Sequence, residues 1–330
     1  MRVLVLGAGA WGTALAITLS AKHAVSLWAR DPAQLLNLRR ERSNARYLPG
    51  FRLPEGIGLP DGLPQGLVQA ELAVVAEPTA SLGGVLRAIA QARPDLPVIW
   101  VCKGFEGGTS AMPHQVVAQE LGAAWPAAVL SGPSFAVEVA QGLPTALTLA
   151  SADGAFAQRM AGLLNSARFR IYSSQDVVGV EIGGAVKNVM AIAAGISDGL
   201  GFGHNARAAL ITRGLAEIAR LGAASGARPE TFFGLSGIGD LILTCTGDLS
   251  RNRTVGLRLG RGERLKDILE DLHHVAEGVS TAQEVCRLAS GLGVDMPISD
   301  AVYRVLYHGL PPGDAVEQLL AREPKPESRD

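Results

Sequence analysis

One lysine and one asparagine, Lys187 and Asn188, lie deep in the largely apolar helical run Val180-Glu181-Ile182-Gly183-Gly184-Ala185-Val186-Lys187-Asn188-Val189-Met190-Ala191-Ile192-Ala193-Ala194-Gly195. Helical spacing puts Gly183, Gly184, Ala191, Ala194 and Gly195 on the Lys187 side, leaving room for another backbone or for a small substrate against the ammonium. Burial lowers a lysine pKa unless a carboxylate or phosphate holds the charged form, and either arrangement suits proton transfer. The competing reading is a lysine that snorkels from a helix packed through its small residues.

Partners for such a lysine stand further along the chain. In Gly237-Ile238-Gly239-Asp240-Leu241-Ile242-Leu243-Thr244, Asp240 and Thr244 share one helical face, with Asp240 near the positive helix end. Ser250-Arg251-Asn252-Arg253 follows, with Ser250 as an N-cap. A helix start with free N–H groups, a guanidinium and an amide together make a phosphate seat; the alternative is an ordinary capped helix with a solvated basic first turn.

A second chemistry opens the chain. The β-type run Arg2-Val3-Leu4-Val5-Leu6 feeds Gly7-Ala8-Gly9-Ala10-Trp11-Gly12 and then a helical stretch, Thr13 to Lys22. Strand, glycine turn and helix in that order aim backbone N–H groups and a positive helix end at a dinucleotide pyrophosphate. Gly7 permits the tight turn, Gly9 the approach of phosphate, and Gly12 the close packing of helix on strand. A second strand, Val25 to Ala29, ends at Arg30-Asp31, where such a fold meets the adenosine ribose. Arg30 suits the 2′-phosphate of NADP, while Asp31 beside it keeps NAD open.

The elements that must position these groups fall into two patterns. Strands at Glu71 to Ala76, Val98 to Cys102 and Ala128 to Leu130 alternate with helices at Leu82 to Ala92 and Ser110 to Leu121, which predicts a parallel, doubly wound sheet. Ligands of such sheets bind beyond the carboxyl ends of the strands, where Lys103-Gly104 and Ser131-Gly132-Pro133-Ser134 stand. From about Val180 the pattern turns helical, with a first long helix from Val180 to Ser197. The polar tail Arg322 to Asp330 lacks apolar content and reads as disordered.

Composition excludes several functions. The 330 residues suffice for two cores, and 30 Lys+Arg against 31 Asp+Glu leave a net charge of −1, so no global field attracts nucleic acid or an anionic membrane. Cys102, Cys245 and Cys286 show no paired spacing and read as fillers in a reducing cytoplasm. No leader pattern appears, no apolar run is expected to reach the ~18 residues of a spanning helix, and no metal site is expected.

Taken jointly, Gly7 to Ala16, Lys103-Gly104, Ser131 to Ala136, Gly183 to Asn188 through Asp198-Gly199, Gly239-Asp240-Leu241 with Thr244-Cys245, Ser250 to Arg253 and Val275 to Gly278 resemble NAD(P)-dependent glycerol-3-phosphate dehydrogenase of the bacterial type across nearly the whole length. The resemblance implies an α/β protein: a Rossmann-type doubly wound parallel sheet in residues 1–179 and an all-helical substrate and catalytic domain in 180–330. It also implies a cytoplasmic homodimer that interconverts dihydroxyacetone phosphate and sn-glycerol 3-phosphate for glycerophospholipid synthesis, with NADP or NAD as cofactor.

Matching positions imply roles. Lys187 is similar to the proton donor and acceptor, and Asp240 to the carboxylate that holds the site. Lys103, Gly132, Ser134, Asn188, Thr244, Ser250, Arg251 and Asn252 fall on the substrate side. Gly7, Gly9, Ala10, Trp11, Gly12, Arg30, Ala136, Val275 and Glu277 fall on the cofactor side, with Lys103 and Arg251 near both. Where the family usually has an aliphatic residue before proline and a serine or threonine, this chain has Glu77-Pro78-Thr79, a carboxylate that either repels the pyrophosphate or accepts a ribose hydrogen bond. A sister enzyme for another small keto or hydroxy acid would have less need of the Ser250-Arg251-Asn252-Arg253 seat. A dinucleotide-binding sensor would leave the lysine in its apolar helix as an unexplained cost.

Overall fold

Alternation along β1 (Arg2–Leu6) sends Val3 and Val5 into one apolar cluster and Leu4 and Leu6 into another, so this strand is covered on both faces. The computed structural model describes residues 1–272 and 276–323. Around β1 a seven-stranded sheet forms from β2 (Ala24–Trp28), β5 (Leu72–Val75), β6 (Val98–Trp100), β7 (Ala127–Ser131), β8 (Thr145–Ala150) and β9 (Phe169–Ser174), in the order β2-β1-β5-β6-β7-β8-β9. The strands β3 (Ser43–Asn44) and β4 (Leu48–Arg52) form a separate antiparallel pair.

The sheet is parallel from β2 to β7, as the alternation of strands and helices predicts. It is not parallel throughout: β8 runs antiparallel to β7, and β9 is parallel to β8. These last two strands extend the sheet beyond the strands expected from the sequence. Helices α1 (Ala10–Ser20), α2 (Pro32–Glu41), α3 (Leu63–Val68), α4 (Thr79–Ala92), α5 (Pro113–Leu121), α6 (Ala136–Ala140) and α7 (Gly154–Leu164) connect and cover the strands.

After β9 the chain is helical. It comprises α8 (Val177–Gly199), α9 (Gly203–Ala224), a 3-10 turn at Pro229–Phe233, a π turn at Leu235–Gly239, α10 (Asp240–Thr246), α11 (Arg251–Gly260), α12 (Leu265–Leu272), α13 (Glu277–Leu292), α14 (Pro297–Tyr307) and α15 (Pro312–Leu320). The long helix starts three residues before the expected Val180 because Asp176 caps it, its Oδ1 accepting from Gly179 N at 2.9 Å. The other carboxylate oxygen of Asp176 accepts from Arg228 N and Thr231 Oγ1, which ties the helix start to the segment after α9.

This helix is long and apolar enough to cross a membrane by composition, with a mean hydropathy of 1.5 in its most apolar window, so the expectation of no such run is corrected. Its surface is met by protein instead, since that window is 89% buried and α9, α10, α11 and α13 pack around it. The tightest approach is to α11. A Cβ on Gly195 would stand 2.1 Å from Arg253 O, and one on Gly256 2.0 Å from Ile192 O, so both helices need glycine at their crossing. The expected disordered tail lies outside the described residues except for Arg322 and Glu323, and Arg322 pairs with Asp295 at 2.7 Å.

Candidate functional site

Three charged side chains from three parts of the chain meet at the carboxyl end of β6. The Lys187 ammonium, buried on α8, donates to Asp240 Oδ1 and to Thr244 Oγ1, the latter at 2.9 Å. From just beyond β6, Lys103 Nζ donates to Asp240 Oδ2 at 2.7 Å and to Gly132 O at 3.4 Å. One buried carboxylate thus bridges two lysines. Asp240 is delivered by the π turn, whose Gly237 leaves helical geometry and packs on Phe232, so that α10 begins at the carboxylate. Thr244 sits one turn on, its hydroxyl donating to Asp240 O at 2.6 Å.

Burial pushes the Lys187 pKa down to about 8; the Asp240 charge opposes that fall and the Lys103 charge adds to it. An amine poised there can give or take a proton near neutral pH. The small residues around it divide the space. A Cβ on Gly183 would meet Ser236 O at 2.2 Å, so backbone fills that side, whereas Gly184 faces Ser131 Oγ and the Lys103 stem. Thr79 Oγ1 donates to Lys103 O at 3.2 Å and steadies the turn that carries the second lysine. Ser134 Oγ donates to Gly132 O at 3.0 Å, which closes the loop after β7.

The helix start at α11 lies beside this cluster. Ser250 is its N-cap, accepting from Arg253 N at 3.2 Å. Arg253 is taken up structurally by Asp198 on α8 at 2.8 Å and by Asp248 at 3.0 Å. Arg251 is exposed and forms no ion pair among the described residues, while Asn252 Oδ1 accepts from Gly278 N at 3.0 Å and joins α11 to α13. Asn188 is buried on α8 next to Lys187, with its backbone carbonyl against Gly278. Glu277 opens α13 half-buried; burial raises its carboxyl above the usual range, and the charges of Arg251, Lys103 and Lys187 act in the opposite direction.

The glycine turn fits a dinucleotide pyrophosphate on two observations. Gly7 has φ +111°, and a Cβ there would stand 2.6 Å from Ala76 O, so only glycine makes this turn. Over Gly9 a Cβ would meet nothing within 4 Å, and the first turn of α1, which starts at Ala10, has no side-chain cap. Open space over uncapped N–H groups is what an incoming phosphate requires. Gly12, Trp11 and Ala136 lie in or against the core that backs this turn, Ala136 opening α6.

Two bracing residues were not read from the sequence: Gln34 Nε2 donates to Ala8 O at 2.6 Å, and Asn44 Nδ2 donates to Ala8 O at 2.9 Å and to Thr13 Oγ1 at 2.7 Å. In the sequence Asn44 sits in a polar stretch with no local sign that it is buried or which turn it supports. Asp31 is used as the N-cap of α2, accepting from Ala33 N at 2.9 Å, and Arg30 donates to Glu77 Oε2 at 2.5 Å. Val275 lies outside the described residues.

Comparison with known proteins gives a consistent pattern. Residues 2–157 match the model of the N-terminal part of NAD-dependent glycerol-3-phosphate dehydrogenase, and residues 176–317 match the model of its C-terminal part. A glycerol-3-phosphate dehydrogenase, NAD(P)+, of Thiobacillus denitrificans is 60% identical over 324 residues, covering 98% of each chain. One from Nitrosospira multiformis is 58% identical over 331 residues, covering 99% of each. Among solved structures, the glycerol-3-phosphate dehydrogenase of Coxiella burnetii is 41% identical with a TM-score of 0.94, over 97% of this chain and 99% of that one.

Proposed function

This chain belongs to the NAD-dependent glycerol-3-phosphate dehydrogenase family, and from that premise we propose that Lys187, Asp240 and Lys103 form its catalytic centre and the start of α11 its phosphate seat. The reaction is the NAD(P)-dependent interconversion of dihydroxyacetone phosphate and sn-glycerol 3-phosphate. The observation that carries the assignment of the centre is the buried carboxylate of Asp240 holding two lysines beside Arg251, which forms no ion pair among the described residues.

When bound, the nicotinamide cofactor supplies or accepts the hydride. Lys187 gives its proton to the substrate oxygen as the ketone is reduced and takes it back on oxidation, placing positive charge where an alkoxide develops. Asp240 and Thr244 aim the amine, and Lys103 adds a second cation at the rim. Arg251 and the free N–H groups of α11 grip the phosphate, so the carbonyl is held in place by a group that does not react. Gly132 and Ser134 shape the loop against the substrate, and Asn188, Asn252 and Ser250 complete its polar lining. Gly7, Gly9, Ala10, Trp11 and Gly12 hold the pyrophosphate, with Arg30 at the ribose and Ala136 and Glu277 along the cofactor.

The division into residues 1–179 and 180–330, the homodimer, the cytoplasmic setting and the supply of glycerophospholipid synthesis belong to the same proposal. The last strand, β9, ends at Ser174 and the chain is helical from α8 onward, and this change of pattern supports a boundary close to the start of α8.

Two results test it. Arg251→Ala is expected to raise KM for dihydroxyacetone phosphate by roughly 10–100-fold, the loss of about 1.5–3 kcal/mol of charge-assisted hydrogen bonding, with little change for unphosphorylated dihydroxyacetone. Steady-state kinetics with both ketones decide, and an equal loss for both would make Arg251 structural or cofactor-directed. The pH profile is the second. Reduction uses the ammonium, so the hydride-transfer rate is level below about pH 8 and falls above it, while oxidation uses the neutral amine and rises through the same point. Stopped-flow rates in both directions that share no such opposed break would remove Lys187 as the acid/base.

A further inference from the structure

The Arg30–Glu77 ion pair crosses the cofactor edge of the sheet. Arg30 stands two residues beyond β2 and Glu77 two beyond β5, and β1, with its glycine turn, lies between those strands. The guanidinium therefore reaches over the end of β1 to the carboxylate, at 2.5 Å. Glu77 cannot follow Arg30 outward. Its backbone N lies 3.0 Å from where a Gly7 Cβ would be, Pro78 follows it, and its side chain is only 7% exposed against 60% for that of Arg30. The fixed partner is the acid and the mobile one is the base.

We infer that Glu77 sets the balance between NADPH and NADH by competing with the 2′-phosphate for Arg30. The inference rests on the reading of Arg30 as the ribose-side residue. A 2′-phosphate needs the guanidinium turned toward it, and a guanidinium held by Glu77 is withdrawn from that conformation, so apparent NADPH affinity falls by the fraction of Arg30 left free. NADH carries a hydroxyl at that position and makes no such demand. Any repulsion between Glu77 and the pyrophosphate falls on both cofactors alike. The acid next to Arg30 in sequence, Asp31, is engaged in capping α2, which leaves Glu77 as the carboxylate that the arginine meets.

The test is a fluorescence titration of NADPH and NADH with the wild-type enzyme, Glu77→Gln, Arg30→Ala and the double variant, without substrate. Glu77→Gln is expected to tighten NADPH about tenfold and NADH no more than about threefold, raising the ratio of their dissociation constants. Arg30→Ala should lower that ratio, and adding Glu77→Gln to it should not change it further. Glu77→Val is the second charge-free variant, with circular dichroism and thermal melting as folding controls for both. If Glu77→Gln shifts both cofactors by one factor, or lowers the ratio, competition is overturned while Arg30 keeps its place. A ratio unmoved by Arg30→Ala overturns the reading of Arg30, and the inference with it.

Discussion

Lys187→Met is expected to lower the pre-steady-state hydride-transfer rate by roughly 10²–10⁴-fold, the usual contribution of a positioned proton donor, with the lost charge adding to it. Methionine keeps most of the length and the apolar stem within α8, where Lys187 is 6% exposed, so the helix keeps its packing. Asp240 is not stranded by the change, because Lys103 still donates to its Oδ2 at 2.7 Å. Fold and cofactor affinity should therefore survive while turnover collapses. Rapid-mixing kinetics, with cofactor titration and circular dichroism on the same preparation, make the measurement. A folded, cofactor-competent variant with near-wild-type hydride transfer would rule out Lys187 and turn attention to Lys103.

Asp240→Asn acts on the same proton from the other side. The Asp240 charge is what raises the Lys187 pKa against burial and against Lys103, so its loss moves the break in the pH profile below about 8. At neutral pH a smaller fraction of the amine would then be protonated, and with its aim also lost, reduction should fall by roughly 10²-fold or more. Removing one partner of a buried ion pair also costs about 3–5 kcal/mol when the remaining charge stays buried, and less where Lys187 sheds its proton. Urea unfolding should therefore show a smaller loss of stability at pH 9 than at pH 6. A pH profile with its break still near 8, in a variant whose stability loss does not depend on pH, would mean that Asp240 does not hold the catalytic proton.

The features behind Lys187 and Asp240 are unequally legible in the sequence. The glycine turn could be read because strand, turn and helix are contiguous, and each glycine answers to neighbours a few residues away. Lys187 could be read as an ionisable group in an apolar run, and Asp240 with Thr244 as a pair on one helical face. Their joining could not, since Lys187 and Asp240 are 53 residues apart and Lys103 and Asp240 are 137 apart. The strands β8 and β9 were missed where the chain reverses direction, and the start of α8 was set by Asp176, whose capping role is completed by Arg228 and Thr231 far along the chain.

Glu77 shows the division most plainly. As a residue type it stood out against the family pattern, yet whether it faced a phosphate, a ribose or an arginine depended on the order of β2, β1 and β5 in the sheet. By itself the sequence determined the family, the α/β layout, the glycine turn and the identity of the ionisable groups, because these follow from local backbone chemistry and from long matched stretches. Only the tertiary structure decided which charges meet: Lys187 and Lys103 on one carboxylate, Arg253 on Asp198, Arg30 on Glu77. Coulomb attraction, hydrogen bonding and desolvation depend on distance and burial in space, and folding sets both among residues that the sequence leaves far apart.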